Sequence, residues 1–217
     1  MEQNRDWISR TEAFLKETFG SSGYLAAHPG DRAYRLEHSY RVANIGRTIA
    51  EREGFDPTEM VIACLLHDIS YCREFGTREE SRNHGRLSAK IARPFLEELG
   101  LPEARVQDIC YGIAIHVDDQ ADFAGVRTAF AETVSDADNI DRFDAYRIYE
   151  SLETIRFREL SLAEKRETVT ERLERLRKLR DLKLATKTAE FLWQERLDFQ
   201  IAFYERLAQQ LDNSTAV

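Results

Sequence analysis

The chain has 217 residues, 42% of them hydrophobic and 32% charged, enough to bury one ordinary core with a helical extension and unlike disordered or membrane chains. No run approaches the roughly 18–20 uninterrupted apolar residues of a membrane span, and three cysteines without a Cys-x-x-Cys spacing argue against a disulfide framework or a thiolate zinc site. The net charge of −8 argues against broad nucleic-acid binding, which rests on Lys and Arg neutralising phosphates.

The opening MEQNRDWISR lacks the apolar run of a signal peptide, so a cytoplasmic location is expected. Apolar positions recur with helical spacing and sustained alternation is absent, which predicts an all-α fold. A first helix reads from about Asp6 to Thr18, with Trp7, Ile8, Phe14 and Leu15 on one face. The glycine-rich stretch 20–31 reads as a loop. A second helix spans roughly Ala33 to Glu53, its stripe of His38, Val42, Ile45 and Ile49 pointing His38 inward. Gly54 ends it, and Asp56-Pro57-Thr58-Glu59 starts the next with an N-cap, a proline at the first position and a capping-box glutamate.

That third helix is apolar on every side from Val61 to Leu66, the mark of a buried helix, and runs directly into His67-Asp68. After a polar segment, 70–82, further helices are expected near 87–99, 102–116 and 128–152, with Pro94 a candidate kink. The last third, 156–211, keeps helical patterning and reads as a hairpin of two long helices docked on the core or on a second subunit, so a homodimer is considered. Its first part, 156–183, carries ten Lys and Arg against six Asp and Glu, read as a solvated helix face.

Placing His67 and Asp68 after six apolar residues is costly, because an unpartnered buried carboxylate costs several kcal/mol or neutralises by shifting its pKa. A divalent cation compensates, since imidazole nitrogen and carboxylate oxygen are standard ligands of first-row metals. Four of the five histidines, His38, His67, His84 and His116, lie on or beside predicted helices. Later, Val134, Ala137 and Ile140 share one helix face among the acids Asp136, Asp138 and Asp141, of which Asp136 or Asp138 can be the last ligand.

These residues resemble the HD superfamily, whose pattern is a helix-borne His, a distant His-Asp pair at a helix end and a later Asp. The likeness rests on Glu37-His38-Ser39-Tyr40-Arg41-Val42, Leu65-Leu66-His67-Asp68-Ile69, His84-Gly85-Arg86-Leu87-Ser88-Ala89, Ile113-Ala114-Ile115-His116 and Asp136-Ala137-Asp138-Asn139-Ile140-Asp141, over about 33–152. It implies an HD-domain helical bundle over 1–155 with a C-terminal helical extension over 156–217. It also implies a metal-dependent phosphohydrolase of a nucleotide or small phosphoester or anhydride, in which metal-activated hydroxide attacks phosphorus.

The resemblance assigns His38, His67, Asp68 and Asp138 to a first ion, with Asp68 bridging and His84 and His116 on a second. Manganese, iron, cobalt, nickel and zinc all fit. Asp119 is a candidate to orient a ligand or water and, with Asp68, His84 and His116, to serve catalysis. Arg41, Arg86, Lys90 and Arg142 are candidate phosphate contacts. The absence of a Gly-Tyr-Pro motif disfavours the cyclic-dinucleotide branch. The alternatives are an HD-type di-iron oxygenase and a non-catalytic metal-binding scaffold.

Overall fold

Helix α1 (Glu2–Gly20) is followed directly by a short α2 (Gly23–Ala27) and by α3 (Pro29–Glu53). The expected loop is thus largely helical. The Ser22 hydroxyl caps α2 by accepting the Leu25 N–H at 3.0 Å, Leu25 is buried, and Pro29 begins α3 with its φ preset for a helix. The computed structural model describes residues 2–215, with side chains from Asp6 onward.

Helix α4 (Pro57–Leu66) is the hub of this region. Asp56 Oδ1 accepts the Thr58 and Glu59 N–H groups at 2.8 and 3.1 Å, while the Glu59 carboxylate pairs with Arg105 at 3.1 Å. Every residue of α4 from Thr58 to Leu66 is buried, and the helix packs against α1, α3 and α7 (Glu103–Ile115). At Gly46 of α3 an added Cβ would lie 2.6 Å from Cys64 Sγ, so that glycine sets the closeness of the α3–α4 approach. Cys64 and Cys110 are buried thiols, each with its pKa pushed up by burial, Cys110 to about 11.

Past α4 the chain turns through His67 and Asp68 into a 3-10 turn, Ile69–Cys72, then α5 (Arg78–Arg82) and α6 (His84–Glu98). The buried Ser70 and Ser88 pin this turn to α6. Ser70 N–H donates to Ser88 Oγ at 3.2 Å, and Ser70 Oγ donates to the His84 carbonyl at 2.9 Å. Pro94 sits inside α6 without ending it.

The expected helix over 128–152 is two helices, α8 (Ala129–Arg142) and α9 (Ala145–Thr154). Asp144 separates them, since its extended backbone and its carboxylate on the Ala145 N–H start a new helix. The chain divides into two compact units, one through Asp138 and one from Asn139, a boundary that falls within α8.

The second unit holds α9, α10 (Leu162–Lys178) and α11 (Lys187–Asp212). A capping box at Ser161 and Glu164 begins α10, and Thr186 caps α11. The two run antiparallel, as the Arg166–Asp212, Arg172–Gln200 and Arg177–Glu205 contacts show, and bury Val169, Leu173 and Leu176 of one with Trp193, Leu197 and Ile201 of the other. Among the described residues there is no strand and no helix long and apolar enough to cross a membrane.

Candidate metal centre

Four histidines and two aspartates of the first unit converge. His38 comes from the middle of α3, His67 and Asp68 from the end of α4, His84 from the first residue of α6, His116 from the end of α7, and Asp138 from α8. Gly85 makes the meeting of α6 and α7 possible, because a Cβ there would lie 2.7 Å from the Ala114 carbonyl and 3.1 Å from His116 Nδ1. His38, His67, Asp68, His116 and Asp138 are all buried, and His84 is mostly so, with 13% of its side chain exposed.

Three imidazoles are oriented the same way. His67, His84 and His116 each direct Nδ1 to the carbonyl three residues earlier, Cys64, Ser81 and Ile113, at 2.7, 2.6 and 2.7 Å. A neutral imidazole carries one N–H, and here it sits on Nδ1, so Nε2 keeps a bare lone pair aimed inward. His84 Nε2 nevertheless lies 3.1 Å from His116 Nε2, and His67 Nε2 lies 3.3 Å from His38 Nε2. With neutral rings the His84–His116 contact would set lone pair against lone pair, which a proton on one ring or a cation relieves, whereas His38 Nε2 donates to Asp138.

Asp68 joins the two histidine pairs. Its Oδ1 is 3.1 Å from His84 Nε2 and 3.7 Å from His116 Nε2, and its Oδ2 is 3.7 Å from both His38 Nε2 and His67 Nε2. Asp138 Oδ1 closes the first group, 3.2 Å from His38 Nε2 and 3.9 Å from His67 Nε2. Asp136 is two residues away on the same helix, about 200° around it, so both acids cannot face one point, and it is Asp138 that meets the histidines.

Burial pushes His67 down to about 4, against the pull of Asp68, so its imidazole is neutral and ready to ligate near pH 7. Burial alone would raise Asp68, but His67, hydrogen bonds from His116 and His84, and Arg35 hold it well below the usual carboxylate range. Burial likewise opposes ionisation of Asp138, and the His38 hydrogen bond with the His67 charge outweighs it. For His116, burial is outweighed by the bond and charge of Asp68, which raise it. A proton on His116 relieves its contact with His84; a divalent cation does so as well, and the nitrogen and oxygen donors suit such an ion. His38–His67–Asp68, His67–His116–Asp138 and Asp68–His84–His116 each bring three ligand atoms within 4.8 Å of one another.

Asp119, Arg86 and Lys90 meet other groups or solvent. Asp119 adopts a left-handed backbone (φ 61°) and pairs with Arg127 at 2.8 Å, its side chain 66% exposed. The orienting partner expected of it is the Ile113 carbonyl, since a histidine at a helix end finds a bare carbonyl on its own last turn. Arg86 is engaged by Asp118 at 2.9 Å, by Asn83 and by Asp122. Lys90 is exposed and lines a separate cavity with Arg93 and Phe123. Arg41 pairs with Glu37 across one helical turn at 3.9 Å, and Arg142 is exposed in the last turn of α8.

The cation that does meet the cluster is Arg35, which the sequence analysis passed over. Its Nη1 donates to Asp68 Oδ2 at 2.8 Å, and its guanidinium lies 3.3 Å from the centroid of the Tyr71 ring. Its position three residues before His38 puts it on the same helix face, a spacing that Arg41 shares on the other side.

A sequence model described as the HD domain matches residues 35–143, about half of the chain and all six converging residues. The chain belongs to the HD-domain family. Two solved structures share the fold. An HD-superfamily hydrolase from Bacillus thuringiensis is 20% identical with a TM-score of 0.67, covering 98% of this chain and 100% of its own. A predicted HD superfamily hydrolase from an uncultured Thermotogales bacterium is 21% identical with a TM-score of 0.64, covering 93% and 91%. Among curated proteins no sequence matches this HD-domain chain.

Proposed function

We propose that this HD-domain chain is a metal-dependent phosphohydrolase acting on a nucleotide or another small phosphoester or anhydride. The reading rests on the convergence of four imidazole Nε2 atoms on Asp68, with one carboxylate oxygen turned to each histidine pair. His38, His67, Asp68 and Asp138 would hold one ion, His84 and His116 a second, and Asp68 would serve both. A divalent ion held there supplies Lewis-acid charge and lowers the pKa of its water.

The chain's own residues then have defined tasks. The backbone carbonyls of Cys64, Ser81 and Ile113 hold the Nδ1–H of three ligand histidines, leaving Nε2 of each as the nitrogen turned to the ion. The apolar wall of α4 excludes water behind the ligands, which strengthens the field at the open side. Arg35, seated on Tyr71, keeps N–H donors beyond the one used on Asp68 and is the guanidinium placed to meet a phosphoryl oxygen. It joins Arg41, Arg86, Lys90 and Arg142 as a candidate phosphate contact.

Metal-stripped protein resupplied singly with manganese, cobalt, nickel, iron or zinc is assayed for phosphate and pyrophosphate release from nucleotides and phosphoesters, beside Asp68→Ala. Metal-dependent release that vanishes in the variant is expected. Iron-dependent oxygen uptake without any phosphate release would replace this reading with that of a di-iron oxygenase. Ion binding with neither activity would leave a metal-binding scaffold.

A further inference from the structure

The second unit contains a cavity of about 230 Å³ between its three helices, lined by Ser151, Leu152 and Ile155 of α9, by Thr168, Glu171, Arg172 and Arg175 of α10, and by Tyr204 of α11. Its chemistry is uneven. Leu152, Ile155 and the Tyr204 ring give it an apolar side, and Arg172 and Arg175 supply two guanidinium groups against the single carboxylate of Glu171, which lies 3.2 Å from Arg175.

Arg172 is set apart from the other arginines of this unit by its partners. Three of them, Arg166, Arg172 and Arg196, have a buried Nε without a hydrogen-bond partner. Arg166 and Arg196 have a carboxylate at that nitrogen, Asp212 at 3.3 Å and Asp144 at 2.9 Å. Arg172 has only neutral company, the Gln200 Oε1 at 3.3 Å and the Tyr204 ring 5.8 Å from its guanidinium carbon. Among the described residues no carboxylate forms an ion pair with it.

Gln200 is itself completely buried, and its Nε2 has no partner. Reversing its amide would set an NH₂ against the guanidinium, so Arg172 fixes its orientation. Buried polar groups are nearly always satisfied, and each exception asks for a reason. A half-buried guanidinium without a counter-ion, braced by a buried amide at the wall of a cavity, has an oxyanion as its natural complement, since Arg offers a planar fork of donors to carboxylate and phosphate.

We propose that this cavity binds a small organic oxyanion, a carboxylate or phosphoryl compound whose charged head meets Arg172 and Arg175 and whose apolar body lies on Leu152, Ile155 and Tyr204. The Ser151 hydroxyl adds a donor at the rim. This site is independent of the metal centre and of the reaction proposed there.

The test follows backbone amide signals of the full-length, zinc-supplied protein by NMR while phenylphosphonate, which cannot be hydrolysed as an ester, or benzoate is added. Saturable shifts over 151–155 and 168–175 with a Kd at or below about 1 mM are expected for at least one probe, and inorganic phosphate binds at least tenfold more weakly. Arg172→Gln weakens binding tenfold or more. Ile155→Glu, on a side chain already 41% exposed, does the same without disturbing the fold, by presenting a competing carboxylate. Absence of saturable shifts in these segments, affinity unchanged in a folded variant, or equal affinity for inorganic phosphate overturns the assignment. Shifts confined to the neighbourhood of His84 and His116 also overturn it and leave the metal-centre reading untouched.

Discussion

Within the unit that ends at Asp138, six ionisable side chains converge almost out of water, whereas α10 and α11 hold their charges at the surface. There, Arg177–Glu205 and Arg180–Asp198 are both 2.8 Å pairs, and each such exposed pair contributes about 0–1 kcal/mol. Both regions are rich in charge, so content alone does not mark function. What separates them is that the exposed pairs are complete in themselves, while the buried set crowds imidazole nitrogens and carboxylate oxygens within 4.8 Å of one another, a donor set that suits a divalent ion.

The comparison breaks most severely at Asp68, which serves both histidine pairs. Asp68→Ala is expected to weaken metal binding by more than about 100-fold, beyond the 10–100-fold cost of losing a group that merely supports a ligand, as read by calorimetric titration. Arg177→Ala is expected to leave it unchanged.

Acid should unsettle the buried set through His67. Its folded pKa of about 4 lies below the ordinary 6.5, so between those values the unfolded chain binds the proton and the folded chain does not. Its contribution to stability, on the order of 3 kcal/mol, is present above pH 6.5 and is lost as pH falls toward 4. The raised His116 acts in the opposite sense, its stabilisation present below 6.5 and lost as pH rises through its folded value. Urea unfolding of metal-stripped protein from pH 4.5 to 7 should therefore show a steeper acid loss in the wild type than in His67→Asn.

Removing metal should cost the fold as well as activity. At an ion concentration 100 times its Kd, binding stabilises the folded state by about 2.7 kcal/mol, so chelation should lower Tm by roughly 5–10 °C in a thermal melt. Arg35→Gln sharpens the account further. Losing a charged hydrogen bond worth about 1.5–3 kcal/mol should cut kcat/KM by roughly 10–100-fold and lower the Tm of the metal-free protein more than that of the metal-loaded one, where the ion also compensates Asp68. The smallest effect belongs to Asp119→Ala, which removes an exposed pair with Arg127 and should change kcat/KM by less than about twofold and stability by less than about 0.5 kcal/mol.

The convergence of these histidines and aspartates was legible in the sequence because each element leaves a local mark. His67-Asp68 after an all-apolar helix is an expense that needs compensation, and His38 falls on an inward stripe. The order of five motifs then resembled one family. The break at Asp144 was less visible because apolar spacing continues from α8 into α9, and only the cap chemistry divides them. Arg35 was missed for a different reason. Helical spacing places both Arg35 and Arg41 three residues from His38, and it is the tertiary approach of Asp68 and Tyr71 that engages Arg35. Asp119, three residues after His116, lies past the end of α7, where a left-handed backbone turns it to Arg127.

Crystals grown with manganese and measured near its absorption edge test the central claim most directly. The account predicts an anomalous peak at ligand distance from His38, His67, Asp68 and Asp138, with a second between His84, His116 and the other oxygen of Asp68 when both positions fill. Fully occupied manganese bound elsewhere, with only water among these six side chains, would contradict it.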